Sequence, residues 1–249
     1  MPSTPQRPAT AAAAVETLRD RNPTRFGPSF GPLLEKSARR TRHGVLGFEG
    51  DDSSSVLVVL SGWLSLSKAL EDGNSHVIDF ALPGDIVQPA AGNGITSELT
   101  IDVLEEGFVS VIPSGQWDKV LYADQDLLHL ARLDASAARS RIAERMLRLG
   151  KGSAEMRLAY ALLELYLRLG GGADGPFTFH VPLTQQQIGN FIGLSSVHVS
   201  RTTRRLKRKD VLEMTDHLTF ELKDIDALCE IAGIDMETLR QEILLPRDG

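Results

Sequence analysis

Apolar and polar positions along the chain change period twice, and the changes divide it into three parts. Between residues 29 and 123 the apolar residues come in short runs or alternate, as in half-buried strands. Val56-Leu-Val-Val-Leu-Ser-Gly-Trp-Leu-Ser-Leu-Ser67 is an apolar run followed by alternation, and reads as two strands around a turn at Gly62. Glu71-Asp-Gly-Asn74 marks a hairpin turn, followed by a strand through His76, Ile78 and Phe80. Pro83-Gly-Asp85 is a further turn, and Leu99–Val103 and Phe108–Ile112 read as two more short strands. Strands at this spacing predict a small antiparallel roll or barrel.

Helical spacing then takes over. From Gln125 to Leu149 there is no proline or glycine, which predicts one long helix with an expected break and hinge at Gly150-Lys-Gly152. Leu128, Ala131, Ala135, Ala138 and Ile142, continuing to Leu149, recur at spacings of three and four with Arg145 interrupting. This narrow seam suits a facing helix, its alanines allowing close approach; the other reading is a helix packed on its own domain. Ala154–Leu169 is a second apolar helix, followed by a loop around Gly170-Gly-Gly172.

The third part holds the sharpest pattern. Thr184 is placed to cap a helix, with Gln187 completing a capping box; Ile188, Phe191 and Ile192 share one side. Gly193 suits the left-handed residue that stops a helix, and Ser195 caps the next. In that next helix Val199, Thr203 and Leu206 form an inward stripe, leaving Ser196, Val197, Ser200, Arg201 and Arg204 outward. Two short helices around such a turn are a helix-turn-helix. Val211–Met214 and Leu218–Leu222 flank Thr215-Asp-His217 as a two-stranded wing, and Asp224 onward is helical to about Leu244.

Charge sharpens this picture. The chain of 249 residues has a formal net charge of -6, yet from Thr184 to Lys209 there are six Lys/Arg and no Asp or Glu. Positive charge concentrated on one element of an acidic protein is a phosphate-binding footprint, whereas a basic run without the cap, the turn glycine and the inward stripe would be only a solvated helix face. Arg201 suits a bidentate fork on guanine O6 and N7, Ser200 a neighbouring base, and Arg204 and Lys207 the phosphates.

Composition excludes other classes. One cysteine, Cys229, leaves no disulfide framework and no cluster needing several thiolates, and fits a reducing cytoplasm. No run has the length of a membrane span, and Met1–Ala14 lacks the apolar core of a secretory signal; the opening reads as a flexible tail over 1–28 with a short helix near Ala11–Asp20. No nucleophile elbow, metal-ligand spacing or phosphate-cradling loop appears, so neither an enzyme nor a metal site is expected. His43, His76 and His129 are formal axial candidates for haem, but a lone histidine is more often a surface or hydrogen-bonded residue, and no cofactor is expected.

With a roll before a long helix and the helix-turn-helix behind it, the chain resembles the cyclic-AMP receptor protein / fumarate-nitrate reduction regulator (Crp/Fnr) family. The matching residues are Leu60-Ser-Gly-Trp63, Asp72-Gly73, Asp79-Phe-Ala-Leu-Pro-Gly-Asp85 and the segment from Pro182 to Leu212. The resemblance implies an α+β chain with a tail over 1–28, a cyclic-nucleotide-binding-like β-roll over 29–123, a dimerisation helix over 124–150 and a winged helix-turn-helix over 151–249. It implies a homodimeric transcriptional regulator on a palindromic operator, with RNA polymerase as a further partner. It places Ser196, Val197, Ser200 and Arg201 at base-reading positions and Thr184 and Gln186 at phosphate contacts. Val197 departs from the glutamate common in the family; it cannot accept from cytosine N4, and a thymine methyl is the expected contact instead.

The sensor departs further. Where nucleotide-binding relatives carry a Gly-Glu-Leu turn and an Arg-Ser or Arg-Ala pair, this chain has Gln88-Pro-Ala90 and the neighbourhood of Glu98-Leu99. No Lys or Arg lies between Lys68 and Lys119, so a cyclic phosphate would lack a cation, and cyclic-nucleotide binding is not expected. The competing functional reading is a ligand-responsive sensor that acts through protein contacts, its helix-turn-helix kept only as a fold.

Overall fold

The computed structural model describes residues 8–23, 25–27, 30–90, 94–170, 177–215 and 219–245. These form two compact units, 8–135 and 136–245, and the division falls inside the long helix.

The first unit begins with α1 (Ala11–Arg21), where Thr10 Oγ1 accepts from Ala13 N at 3.2 Å as the N-cap. Ala14, Val15 and Leu18 are buried against Phe26, Phe30, Trp117 and Leu127, so the expected flexible tail is folded from Ala11. The apolar stripe of that helix is paired with a surface that only the fold creates. After α2 (Gly31–Lys36) come β1 (Ala38–Arg40), β2 (Gly44–Gly47), β3 (Ser55–Ala69), β4 (Ser75–Ala81), β5 (Ile86–Val87) and β6 (Thr100–Pro113). They form one antiparallel sheet in the order β1-β6-β3-β4, with β2 on β6 and β5 on β3.

Two expectations are corrected here. Val56–Ser67 is not two strands around a turn: β3 runs through Gly62, which is bulged at φ +82. Likewise the two short strands expected at 99–112 are the single β6. The bulge has a purpose legible in the packing. Before it, Val56, Val58 and Leu60 belong to the core shared with α1 and α2, while Leu57 and Val59 belong to a second core; after it, Leu64 and Leu66 have joined that second core. An inserted residue inverts the alternation, so even-numbered side chains change faces. Bulk is excluded at the crossing, since a Cβ on Gly107 would lie 2.2 Å from Ser61 O. The unit closes with α3 (Ser114–Ala123) and the first turns of α4 (Gln125–Lys151).

The second unit holds the rest of α4, α5 (Ala154–Arg168), β7 (Phe177–His180), α6 (Gln185–Ile192), α7 (Ser196–Arg208), β8 (Leu212–Thr215), β9 (Thr219–Leu222), α8 (Ile225–Ala232) and α9 (Met236–Ile243). The expected break at Gly150-Lys-Gly152 falls at the last of these residues, between the end of α4 at Lys151 and the start of α5 at Ala154. Helix α4 continues to Lys151, and Gly152 N still donates to Arg148 O at 2.7 Å. The wing has three strands, in the order β7-β9-β8. Phe177 and Phe179 join it to α5 and β9 through Tyr166, edge-on at 4.9 Å, and Phe220, stacked at 6.2 Å. The expected wing turn at Thr215–His217 lies largely outside the described residues, as does most of the loop around Gly170–Gly172. The single helix expected from Asp224 is two, separated where Gly233 takes φ +64 and Asp235 caps α9.

Candidate nucleic-acid interface

Local chemistry builds the helix pair. Thr184 Oγ1 accepts from Gln187 N at 3.2 Å while Gln187 Oε1 accepts from Thr184 N at 2.8 Å, the reciprocal capping box. Helix α6 stops at Gly193, left-handed at φ +67, and α7 starts at Ser195, whose Oγ accepts from His198 N and lies 3.1 Å from His198 Nδ1. Sequence reasoning overlooked Gly189. A Cβ there would sit 2.3 Å from Leu194 O, so the tight turn needs a glycine before the turn as well as in it. The signal was its place one helical turn ahead of Gly193.

The turn leaves α7 with two unlike sides. Val199, Thr202, Thr203 and Leu206 are buried, Thr203 donating to Val199 O at 2.9 Å. Val197, His198, Arg201, Arg204, Arg205, Lys207 and Arg208 are exposed, Val197 at 56%, with Ser196 and Ser200 half-buried beside them. The cations are not equivalent. Lys207 pairs with Glu213 on β8, and Arg205 and Lys209 reach Glu155 at 4.0 and 2.5 Å. Among the described residues Arg201, Arg204 and Arg208 make no ion pair, so their charge faces outward unspent. The hydrogen bond from Lys207 holds the Glu213 carboxyl below its ordinary range. Thr184 and Gln186, both exposed, have local partners as well: Thr184 in its cap and Gln186 Nε2 on Asn190 Oδ1 at 2.8 Å.

Behind this pair lies a buried arginine set from α4. Arg145 stacks on Phe191 of α6, 4.6 Å from the ring centroid, and pairs with fully buried Glu164 at 3.3 Å, which Arg168 also reaches at 3.3 Å. Arg148 covers the Tyr160 ring at 4.1 Å and donates to Ala232 O, and Arg141 donates to Ile243 O. Burial, with Glu164 next in order, pushes the Tyr160 hydroxyl far above the ordinary phenol range. Arg145 therefore interrupts the expected seam because it faces inward, and Met146 stands 68% exposed beside it.

The other seam residues divide. Ala131 is buried in the first unit's own core with Leu127 and Trp117, which corrects its assignment to a partner-facing stripe. Ala135 is exposed, while Leu128, Ala138, Ile142 and Leu149 are half-buried. Leu149 lies at the helix-turn-helix, its Cδ2 2.8 Å from where a Gly193 Cβ would stand.

In the sensor, Gly84 turns at φ +102 and Leu82 N donates to Asp85 Oδ2 at 2.7 Å, fixing the Pro83-Gly-Asp85 turn. Glu98 is exposed and its N–H donates to Pro89 O, while residues 91–93 lie outside the described set. Trp63 and Phe80 are buried as a tilted pair. His43 and His129 are exposed and His76 is half-buried. Among the described residues no group of three or more His, Cys, Asp or Glu could hold a metal, and no helix is long and apolar enough to cross a membrane.

A sensor roll and a helix-turn-helix with a basic outward face define a transcriptional regulator that binds DNA through its C-terminal domain. Comparison with known proteins agrees. Residues 156–231 match the Crp-like helix-turn-helix domain and residues 41–124 the cyclic nucleotide-binding domain. The transcriptional activatory protein AadR of Rhodopseudomonas palustris is 31% identical over 192 residues, covering 75% of this chain and 79% of that one. The transcriptional activator protein FnrL of Cereibacter sphaeroides is 28% identical over 197 residues, 76% and 77% of the two chains. FixK2 from Bradyrhizobium japonicum shares the fold with a TM-score of 0.70 at 22% identity, over 78% of this chain and 96% of that structure. The chain belongs to the Crp/Fnr family of transcriptional regulators.

Proposed function

We propose that this regulator binds a palindromic operator as a homodimer, in the cytoplasm, with Ser196, Val197, Ser200 and Arg201 reading bases and Thr184, Gln186, Arg204 and Lys207 meeting phosphates. The observation that carries this reading is the outward face of α7, where Arg201 and Arg204 are exposed without an ion pair among the described residues. Arg201 lies one helical turn past Val197, on the half of α7 that a recognition helix inserts; Arg204 and Lys207 come later, where such a helix rises toward the backbone. Lys207 must exchange Glu213 for phosphate.

The dimer surface is the part of α4 not used internally: Leu128, Ala135, Ala138, Ile142 and Met146, with Ala131 left out for the core and Leu149 for its packing at Gly193. Replacing Ala135 and Ala138 together with glutamate sets like charges against each other across a two-fold axis, and light scattering should then report monomer. The sensor works without a cyclic nucleotide, because residues between Lys68 and Lys119 offer no cation to a cyclic phosphate. Calorimetry with cyclic AMP or cyclic GMP should give no saturable heat.

Selection of bound sequences from a random duplex pool tests the whole reading. A recovered palindrome with steep salt dependence supports it. Recovery of no sequence, with weak salt dependence, favours a sensor that acts through protein contacts.

A further inference from the structure

Arg157, in the first turn of α5, spends its donors on four backbone carbonyls. Its Nε donates to Arg148 O and Gly152 O, both at 3.1 Å, its Nη2 to Leu149 O at 2.8 Å, and its Nη1 to Gly193 O at 3.4 Å. The first three belong to the C-terminal end of α4 and the residue after it, where the carbonyls carry the partial negative charge of the helix end. The fourth belongs to the left-handed glycine that turns α6 into α7. One planar, permanently charged fork thus joins the end of α4 to the turn from which the recognition helix springs. Leu149 closes the same gap from the side, against Gly193. A lysine has three donors on one nitrogen and cannot span carbonyls that a guanidinium reaches with separate nitrogens.

We infer that Arg157 is a positioning residue for DNA recognition: it fixes the angle of α7 against the last turn of α4. This rests on the proposed dimer on a two-fold operator, in which α4 carries the partner contact and the two copies of α7 must meet half-sites a helical turn of DNA apart. The tolerance is small. A 13-residue α7 is about 20 Å long, so about 10° of play at its turn moves its far end by about 3.5 Å, the rise of one base pair. Arg157 therefore controls which spacing of half-sites the dimer accepts, while the identity of the bases is left to α7.

The test uses the full chain as wild type, Arg157→Gln and Arg157→Lys. Each is titrated against the selected operator, against operators with the half-sites one base pair closer or further apart, and against a duplex carrying a single half-site. Wild type should lose about tenfold or more in affinity per shifted base pair. Arg157→Gln should flatten that loss to about threefold or less while changing single-half-site binding by about twofold or less. Arg157→Lys, which keeps some of the carbonyl contacts, should fall between, and it carries the test if the glutamine variant melts below the assay temperature. Profiles as steep as wild type in the variants would overturn the positioning role. So would an equal loss on every duplex, the single half-site included, which marks a general contribution to stability or to phosphate binding. If the unsubstituted protein itself ignored spacing, the two-fold reading would fall first and the inference with it, an outcome visible without any variant.

Discussion

Glu164 is the residue whose loss should damage the DNA-binding unit most for the smallest change in shape. Its side chain is fully buried on α5, and Oε1 accepts from Arg145 Nη1 and Arg168 Nη1, each at 3.3 Å, with those side chains 8% and 4% exposed. Glu164→Gln keeps the volume but removes the carboxylate charge that Arg145 and Arg168 share. Breaking a buried pair by removing one partner costs about 3–5 kcal/mol. Arg145→Met acts differently. It forfeits the stack on Phe191, about 0.5–2 kcal/mol, and one charged hydrogen bond, but leaves Glu164 and Arg168 as a neutral pair. The glutamate substitution should therefore be the worse of the two, although the arginine substitution removes more atoms. For a unit of about 100 residues, 3 kcal/mol corresponds to a fall of about 12 °C or more in melting midpoint. Scanning calorimetry of the full chain, with hydrogen exchange followed on the α5 peptide 154–168, reads both variants. An unchanged midpoint for Glu164→Gln, or a larger fall for Arg145→Met, would refute the charge argument.

Three other outcomes are expected. Glu213→Gln releases Lys207 from its intramolecular pair, and should steepen the salt dependence of DNA binding by up to about one unit of slope without changing sequence preference, measured by titration at several salt concentrations. Arg201→Ala should cost about 1–3 kcal/mol per half-site and lower the ratio of operator to scrambled-duplex affinity, whereas Arg204→Ala should weaken both duplexes alike; an unchanged ratio for Arg201→Ala removes its base-reading role. Burial, and then Asp226 and Asp235, push the Cys229 thiol up to about 11. It should resist thiol reagents at pH 8 until the unit is unfolded. Because its folded pKa is raised above the ordinary thiol value of 9.0, its contribution to stability is whole below pH 9 and lost as pH rises through about 11, which denaturant titrations across that range would detect.

The helix-turn-helix was legible from residue to residue because its determinants are local. Thr184, Gln187, Gly193 and Ser195 act within a few positions of themselves, and caps and left-handed glycines work whatever surrounds them. The long α4 was legible for the same reason, since helical periodicity and the absence of breakers are properties of a single segment. What failed depended on partners distant in sequence. Gly62 reads as a turn in isolation and becomes a bulge because β6 runs alongside the whole of β3, and Gly107 admits Ser61 at the crossing. The opening helix reads as part of a tail until Phe26, Phe30 and Trp117 cover its stripe. Ala131 and Ala135 are the same residue four positions apart on one helix; only the packed core decides that the first is interior and the second exposed. Lys207 and Arg204 are likewise equal as charges in a sequence, and become unequal only because the wing brings Glu213 to one of them. Sequence determined which backbone conformations each segment prefers and where positive charge is placed. Tertiary structure decided which side chains spend that charge internally, because burial and ion pairing are relations between segments rather than properties of any one.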